Sequence, residues 1–402
     1  MYNFDEIIDR KNTNAENVEG FRPYMFADQP DIKFPTPDDE LVRMWVADME
    51  FAVAPEIRQA IKNRVDQKIL GYTAVYGTDY YNAFNGWCKD RYDWSFPQEE
   101  LVFSPGIIPA LYELVGDLVQ EGEKFLFSSP AYGFFQHSGE YNEKEYVCSP
   151  LINDDGYFEI DFDDFEKKAA DPQVKLVIWC NPHNPTGRVW TCEEAEKIAA
   201  IVEKYDLWII SDEIHCDLTR QNQKHIPMGK IMPNYKKLIT CMSASKTFNM
   251  AGMMFSNIII RDERLRQTFV NNDKIIGAIN PLSLAANQAA YEKGGSWLKQ
   301  LREYLDENFD FTVKYISENI PGAKYKGSES TYLAWVDLNG CLGDVEDLPT
   351  FFAKEAGVLM EGGDRLFVGN AKGFVRLNLA MPRAIIKDGL ERMANAIAKH
   401  KE

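Results

Sequence analysis

The sequence predicts an α/β fold in which a mostly parallel sheet lies between layers of helix, joined to a smaller α+β domain. Three observations predict it. From Glu100 to about Ile260, short apolar runs alternate with longer amphipathic segments. Several of those runs are apolar at consecutive positions rather than alternate ones, as strands must be when helices cover both faces of their sheet. After Pro281 the texture changes to a long helical stretch, followed by strand-like and glycine-rich segments. A length of 402 residues suits two packed domains on the usual scale of about 100–200 residues each. The expected division is a large domain over 51–282 and a small one built from 1–50 together with 283–402.

In chain order, the first fifty residues carry Pro23, Pro30, Pro35 and Pro37 and little periodicity, and are expected to lie across the second domain. The candidate strands of the large domain are LVFSPG, KFLFSSP, VKLVIWCNP, LWIISDEI, KLITCMSASK and FSNIII. Between them, IIPALYELVGDLVQEG places Ile108, Leu111, Val115, Leu118 and Val119 at helical spacing. TCEEAEKIAAIVEKY opens with Thr191 and Glu194, the pair whose side chains and backbone donors satisfy one another at a helix start. A helical pattern then runs from Leu282 to Pro321, and STYLAWVDL and GFVRLNLA read as strands.

Composition narrows the function. With 45% hydrophobic, 13% aromatic and 26% charged residues the chain is an ordinary globular protein. A formal charge of -18 opposes a nucleic-acid partner, which needs dense Lys and Arg. No run approaches the roughly 18 apolar residues of a membrane span, and MYNFDEIIDRKNT is no leader, so a cytoplasmic protein is expected. Seven scattered cysteines without Cys-x-x-Cys spacing suggest free thiols, and five histidines form no metal-binding pair.

Ligands of open α/β sheets gather beyond the carboxyl ends of the strands, and polar residues cluster at those ends here. Ser104-Pro105-Gly106 precedes a helix whose first N–H groups attract anions, although such junctions also use glycine for geometry alone. Tyr132 in SSPAYGFF serves either packing or as a platform for a planar ring. Asn184 in NPHNPTGR either meets a ligand or caps a tight turn. Asp212 ends a strand that should be central, where a carboxylate needs a cation; that cation is a neighbouring side chain or a ligand. Arg376 in GFVRLN is an ion-pair residue or a clamp for an α-carboxylate. Lys246 in SASKTFNMAG follows a buried strand and has Ser243 and Ser245 ahead of it. It either snorkels to water or is desolvated, and so becomes a nucleophile for a carbonyl. Pyridoxal 5'-phosphate (PLP) uses all of these parts: an amine for its aldehyde, an acid for its ring nitrogen, donors for its phosphate and an aromatic face.

NFDEIIDR, MWVADMEF, LGYTAVYG, SPG, SSPAYGFF, NPHNPTGRVW, SDEIH, SASKTFNMAG, STYLAW and GFVRLN followed by PR occur in this order along nearly the whole chain. Together they resemble the fold-type-I PLP enzymes, the aspartate aminotransferase superfamily, and most closely the MalY/PatB-like cystathionine β-lyases. The resemblance implies that Lys246 holds PLP covalently and moves the substrate α-proton. It places Asp212 on the pyridine nitrogen and Asn184 on the ring 3'-oxygen, with His215 where many aminotransferases have a tyrosine, and stacks Tyr132 on the ring. Phosphate would be held by the backbone of Gly106, Ile107 and Ile108, by Ser243 and Ser245, and by Tyr72 from a second subunit, implying a homodimer with shared active sites. Arg376 would take the substrate carboxylate, with the MWVADM segment and the Ala47 backbone closing over it. The segment from Phe367 to Lys372 and AMPR depart from the family pattern, and the former is expected at the substrate entrance. The implied reaction is β-elimination from L-cystathionine or a related S-substituted cysteine. Transamination, which uses the same lysine, acid and arginine, and a regulatory protein that keeps the fold are the alternatives.

Overall fold

A computed structural model describes residues 1–273 and 279–401. Seven strands form the main sheet: β1 (Leu101–Ser104), β2 (Lys124–Ser129), β3 (Glu145–Pro150), β4 (Val174–Cys180), β5 (Trp208–Asp212), β6 (Leu238–Met242) and β7 (Ser256–Ile260). Their spatial order is β1-β7-β6-β5-β4-β2-β3. Neighbours from β6 to β3 are parallel, with Ile209 of β5 opposite Leu238 of β6.

Two features differ from the sequence reading. β7 runs antiparallel to both β6 and β1; an apolar run such as FSNIII reads the same in either direction, so its orientation is invisible until the short connection from β6 is folded. β3 was absent from the candidate strands. It is an edge strand, half-exposed along most of its length, so it carries Glu145, and its buried Ser149 donates to Asp164 at 2.7 Å, which leaves no unbroken apolar run.

The principal helices are α1 (Pro55–Asp66), α2 (Ile107–Leu118), α3 (Cys192–Lys204), α4 (Pro281–Lys293), α5 (Gly295–Asn319) and α6 (Arg383–His400). On one face of the sheet α2 packs Leu111, Leu114 and Val115 onto Phe125, Phe127, Ile210, Ile239 and Ile258. On the other, Ala195, Ile198 and Val202 of α3 meet Val177 and Ile209. The Thr191–Glu194 capping box is formed as expected. The helical stretch after Pro281 is two helices, not one. Gly294 lies between them, and only glycine fits there, since a Cβ would lie 2.4 Å from the ring of Phe248.

A second, antiparallel sheet contains β8 (Leu333–Asp337), β9 (Glu361–Gly362) and β10 (Phe374–Asn378) in the order β8-β10-β9. α5 and α6 cover it, with Phe309, Ile316, Ile386 and Leu390 against Ala334, Val336, Val375 and Leu377. The N-terminal segment joins this part of the molecule: Val42 and Arg43 pair in parallel with Val358 and Leu359. The MWVADM stretch continues from there toward the carboxyl ends of β5 and β6. None of the described helices is long and apolar enough to cross a membrane.

Candidate active site

A cavity of about 210 Å³ lies where those strand ends, the start of α2, β10 and the MWVADM stretch meet. Its lining includes Ala47, Gly106, Ile107, Ile108, Tyr132, Asn184, Asp212, His215, Ser245, Lys246 and Arg376. The topology explains the convergence. Parallel strands end on the same side, so residues distant in sequence, each placed just past a strand end, are brought to one face.

Lys246 lies in a four-residue helical turn, Ala244–Thr247, immediately after β6. Its Nζ donates to the carbonyl of Ala47 at 2.7 Å. Burial, reinforced by the positive charge of Arg376, lowers its pKa to about 8. Asp212 closes β5 and is buried. Its Oδ1 accepts the backbone N–H of Ile214 at 3.2 Å. Burial outweighs that donor and lifts the carboxyl to about 7. This acid faces the cavity without a cation close enough to hold it ionised.

His215 is buried, and burial followed by the charges of Lys246 and Arg376 pushes its pKa down to about 3. It is therefore a neutral ring near pH 7, and its Nδ1 has no partner. Arg376 on β10 donates to Asn184 Oδ1 at 3.4 Å and to the Trp45 carbonyl at 3.2 Å. Its Nε, also buried, has no partner, so the guanidinium retains donor capacity for an anion. Phe367 lies 5.2 Å from this guanidinium, ring centroid to Cζ. The segment after it is tied to the end of β2 by the Ser129 hydroxyl, which donates to Asn370 Oδ1 at 3.3 Å.

α2 begins at Ile107 with no side-chain cap, leaving its first N–H groups directed at the cavity. Ser245 lines the same space, whereas Ser243 does not. The Ser243 hydroxyl accepts the Ser245 N–H at 3.2 Å and lies 3.0 Å from both Ser245 Oγ and the Phe255 carbonyl. It acts by holding the turn that presents Ser245. Tyr72 is fully exposed and outside the cavity. It borders a neighbouring cleft that shares Pro105 and Phe255 with the cavity wall.

Three further residues shape the site without having been singled out in the sequence. The Tyr332 hydroxyl donates to the Ala47 carbonyl at 2.7 Å, the same oxygen that Lys246 uses. Asn378 of β10 donates to the carbonyls of Val46 and Asp48. Asn249 accepts from Met49 N at 3.0 Å and donates to the Met49 and Phe51 carbonyls, both at 2.9 Å. The MWVADM stretch is thus pinned on both sides of Ala47. Tyr332 lay within the quoted motif STYLAW, which was its only signal; the two asparagines act on backbone far away in sequence.

A lysine, an acid and an arginine around one cavity on a sheet of this order are the features of the class I and II aminotransferase fold. Residues 40–393 match the family "Aminotransferase class I and II", and the chain belongs to that family. Among curated proteins it is 36% identical to cystathionine beta-lyase PatB of Bacillus subtilis, across 88% of this chain and 92% of PatB. It is 30% identical to protein MalY of Escherichia coli, across 99% of both. Among solved structures, the PLP-bound C-S lyase from Staphylococcus hominis superposes with a TM-score of 0.93 at 48% identity, covering 99% of this chain and 98% of that one.

Proposed function

We propose that this chain is a PLP-dependent carbon-sulfur β-lyase that cleaves L-cystathionine or a related S-substituted cysteine to a thiol, pyruvate and ammonia. The observation that carries the reading is the convergence of Lys246 Nζ, the Asp212 carboxyl and the Arg376 guanidinium on one cavity. The names of PatB and of the Staphylococcus hominis enzyme support the choice of lyase over transaminase.

The fit of PLP rests on groups whose needs are not met: a buried acid that the charge of Lys246 does not hold ionised, an uncapped helix start, and the free Nδ1 of His215. PLP, when bound, supplies an aldehyde for an amine and a protonated ring that draws electrons from the substrate Cα. Lys246 offers the amine. Asp212 is placed to accept the ring N–H, and that contact would restore its ionised form. Asn184 and His215 would hold the ring oxygen, and Tyr132 would offer an aromatic face. The N–H groups of Gly106, Ile107 and Ile108 and the hydroxyl of Ser245, steadied by Ser243, suit the phosphate.

Arg376 takes the substrate α-carboxylate in parallel hydrogen bonds. Lys246 Nζ, already depressed toward neutrality, takes the proton from Cα, and a thiolate leaves from Cβ. The leaving group is favoured by the low basicity of thiolates, whose conjugate acids have pKa values of about 8.5. Ala47 O, held by Tyr332 and the asparagine anchors, keeps the amine oriented.

The working unit in this reading is a homodimer in which Tyr72 reaches the partner's phosphate site. Its full exposure beside the cavity wall supports that role. Residues 51–282 form the cofactor-binding domain and the remainder the small domain. The seven free thiols suit a reducing cytoplasm.

Incubation of the purified protein with L-cystathionine in the absence of any oxo acid tests the reading. Stoichiometric pyruvate release is expected. No pyruvate under these conditions, with amino transfer once 2-oxoglutarate is added in a second incubation, would replace the lyase by a transaminase.

A further inference from the structure

Behind the turn that carries Lys246 lies a buried carboxylate that the chemistry above does not use. Asp217 is 3% exposed and stands outside the cavity lining. Its Oδ1 accepts from Trp87 Nε1 at 3.0 Å and from the Tyr92 hydroxyl, and Arg91 Nε lies 2.8 Å from the same oxygen. All of these partners belong to the helix Asp79–Tyr92. Asp217 Oδ2 accepts from the Thr247 hydroxyl at 3.0 Å. One oxygen is thus fixed to a long helix, and the other reaches the residue next to Lys246.

Thr247 is buried and ends the four-residue turn Ala244–Thr247. A single turn has too few backbone bonds to fix its own orientation; here Phe248 N–H donates to the Ala244 carbonyl at 2.9 Å. Side chains supply the rest. Ser243 holds the start of the turn through the Ser245 N–H, and Asp217 holds its end. A carboxylate acceptor makes the second anchor a charge-assisted hydrogen bond, stronger than one between neutral groups. Lys246 Nζ sits at the end of a long side chain on this turn, so a small rotation of the backbone carries it away from the Ala47 carbonyl.

We propose that Asp217 is a positioning residue for Lys246: through the Thr247 hydroxyl it fixes the turn from which Nζ reaches the cavity, and thereby sets the rate of proton removal from the substrate Cα. That Nζ takes this proton rests on the PLP reading, whereas the choice between lyase and transaminase does not enter.

Thr247→Val and Thr247→Ser test the link, because both keep Asp217 and its other partners. The holoenzyme is incubated in deuterium oxide with L-alanine, which has no group to eliminate from Cβ, and exchange of the Cα hydrogen is followed by NMR. Thr247→Val is expected to slow exchange at saturating alanine by about tenfold or more, with the half-saturating concentration little changed, and Thr247→Ser to stay within about threefold of native. Asp217→Asn should also slow exchange, and adding Thr247→Val to it should slow it little further. In the cofactor-free protein, reductive methylation of Lys246 is measured against pH by mass spectrometry. Arg376, Asp212, Asp48 and His215 face Nζ in every variant. A midpoint that moves from about 8 toward that of an ordinary lysine in Thr247→Val, and not in Thr247→Ser, is expected as Nζ leaves its buried position. A native exchange rate in Thr247→Val overturns the proposal even if urea unfolding shows that variant to be less stable, as does slowing that Thr247→Ser shows equally. Asp217 would then support the fold alone. If the native holoenzyme exchanges no alanine hydrogen the PLP reading fails, and the methylation midpoint still decides the role of Asp217.

Discussion

Burial acts on Lys246 and Asp212 in opposite chemical senses, lowering the amine to about 8 and raising the carboxyl to about 7. The first effect prepares a base. Replacing it by Lys246→Ala removes both the covalent attachment and the proton carrier, so pyruvate release is expected to fall on the order of 10³-fold or more. The same variant should fail to retain the cofactor after borohydride treatment and denaturation. The second effect makes the cofactor-free protein sensitive to pH. Between the ordinary carboxyl value of 3.8 and about 7, the native state keeps a proton on Asp212 that the unfolded chain has lost. Stability from this group therefore falls as pH rises through that window. Asp212→Asn removes the dependence. The stability of the variant minus that of the native apoprotein should grow with pH by as much as about 1.4 kcal/mol per unit, measured by urea unfolding. A difference that stays flat would mean that Asp212 has a cationic partner in the apoprotein.

At the scale of elements, two asparagines tie a segment with little regular structure to the rigid parts around it. Asn378 is buried in β10, and its side chain serves two carbonyls of the MWVADM stretch while accepting the Ala380 N–H at 2.8 Å. Asn378→Ala strands those groups and should cost about 1–3 kcal/mol in unfolding free energy. It should also raise the substrate KM, because Ala47 loses its position beside Lys246. Thr191→Ala provides the contrast. It removes the N-cap of α3 at an exposed position outside the cavity lining, and is expected to cost about 1 kcal/mol with KM unchanged. The caps and apolar faces of α2 and α3 were legible in the sequence because they are local, periodic patterns. The acid after β5 and the lysine after β6 were legible because charge beside an apolar run conflicts with burial. Asn378 and Asn249 offered no such conflict; a polar residue that serves backbone a hundred or more positions away looks like any other polar residue. β3 escaped for the converse reason, since an edge strand can remain half polar and still pair.

On the scale of the whole molecule, the cavity is walled by strand ends, the start of α2, β10 and the N-terminal stretch, yet one expected contributor stands outside it. Tyr72 and Tyr76 are exposed beside a cleft that adjoins the cavity through Pro105 and Phe255. Large exposed aromatics grouped at the edge of a ligand site suit contact with another copy of the chain. If Tyr72 completes the partner's phosphate site, each site draws its lysine from one subunit and its tyrosine from the other. Lys246→Ala and Tyr72→Ala should then each be weak alone and complement when mixed. In a hybrid dimer the site with the intact Lys246 receives Tyr72 from the partner, while the other site carries both defects. Random reassortment of equal amounts makes about half the dimers hybrid with one good site of two, so about a quarter of native activity should return. The mixture must be unfolded and refolded together, or co-expressed with two tags, so that subunits exchange. Activity equal to the average of the two separate variants would show that Tyr72 serves its own subunit or none. Recovery near a quarter, confined to the doubly tagged fraction, would place Tyr72 across the subunit boundary.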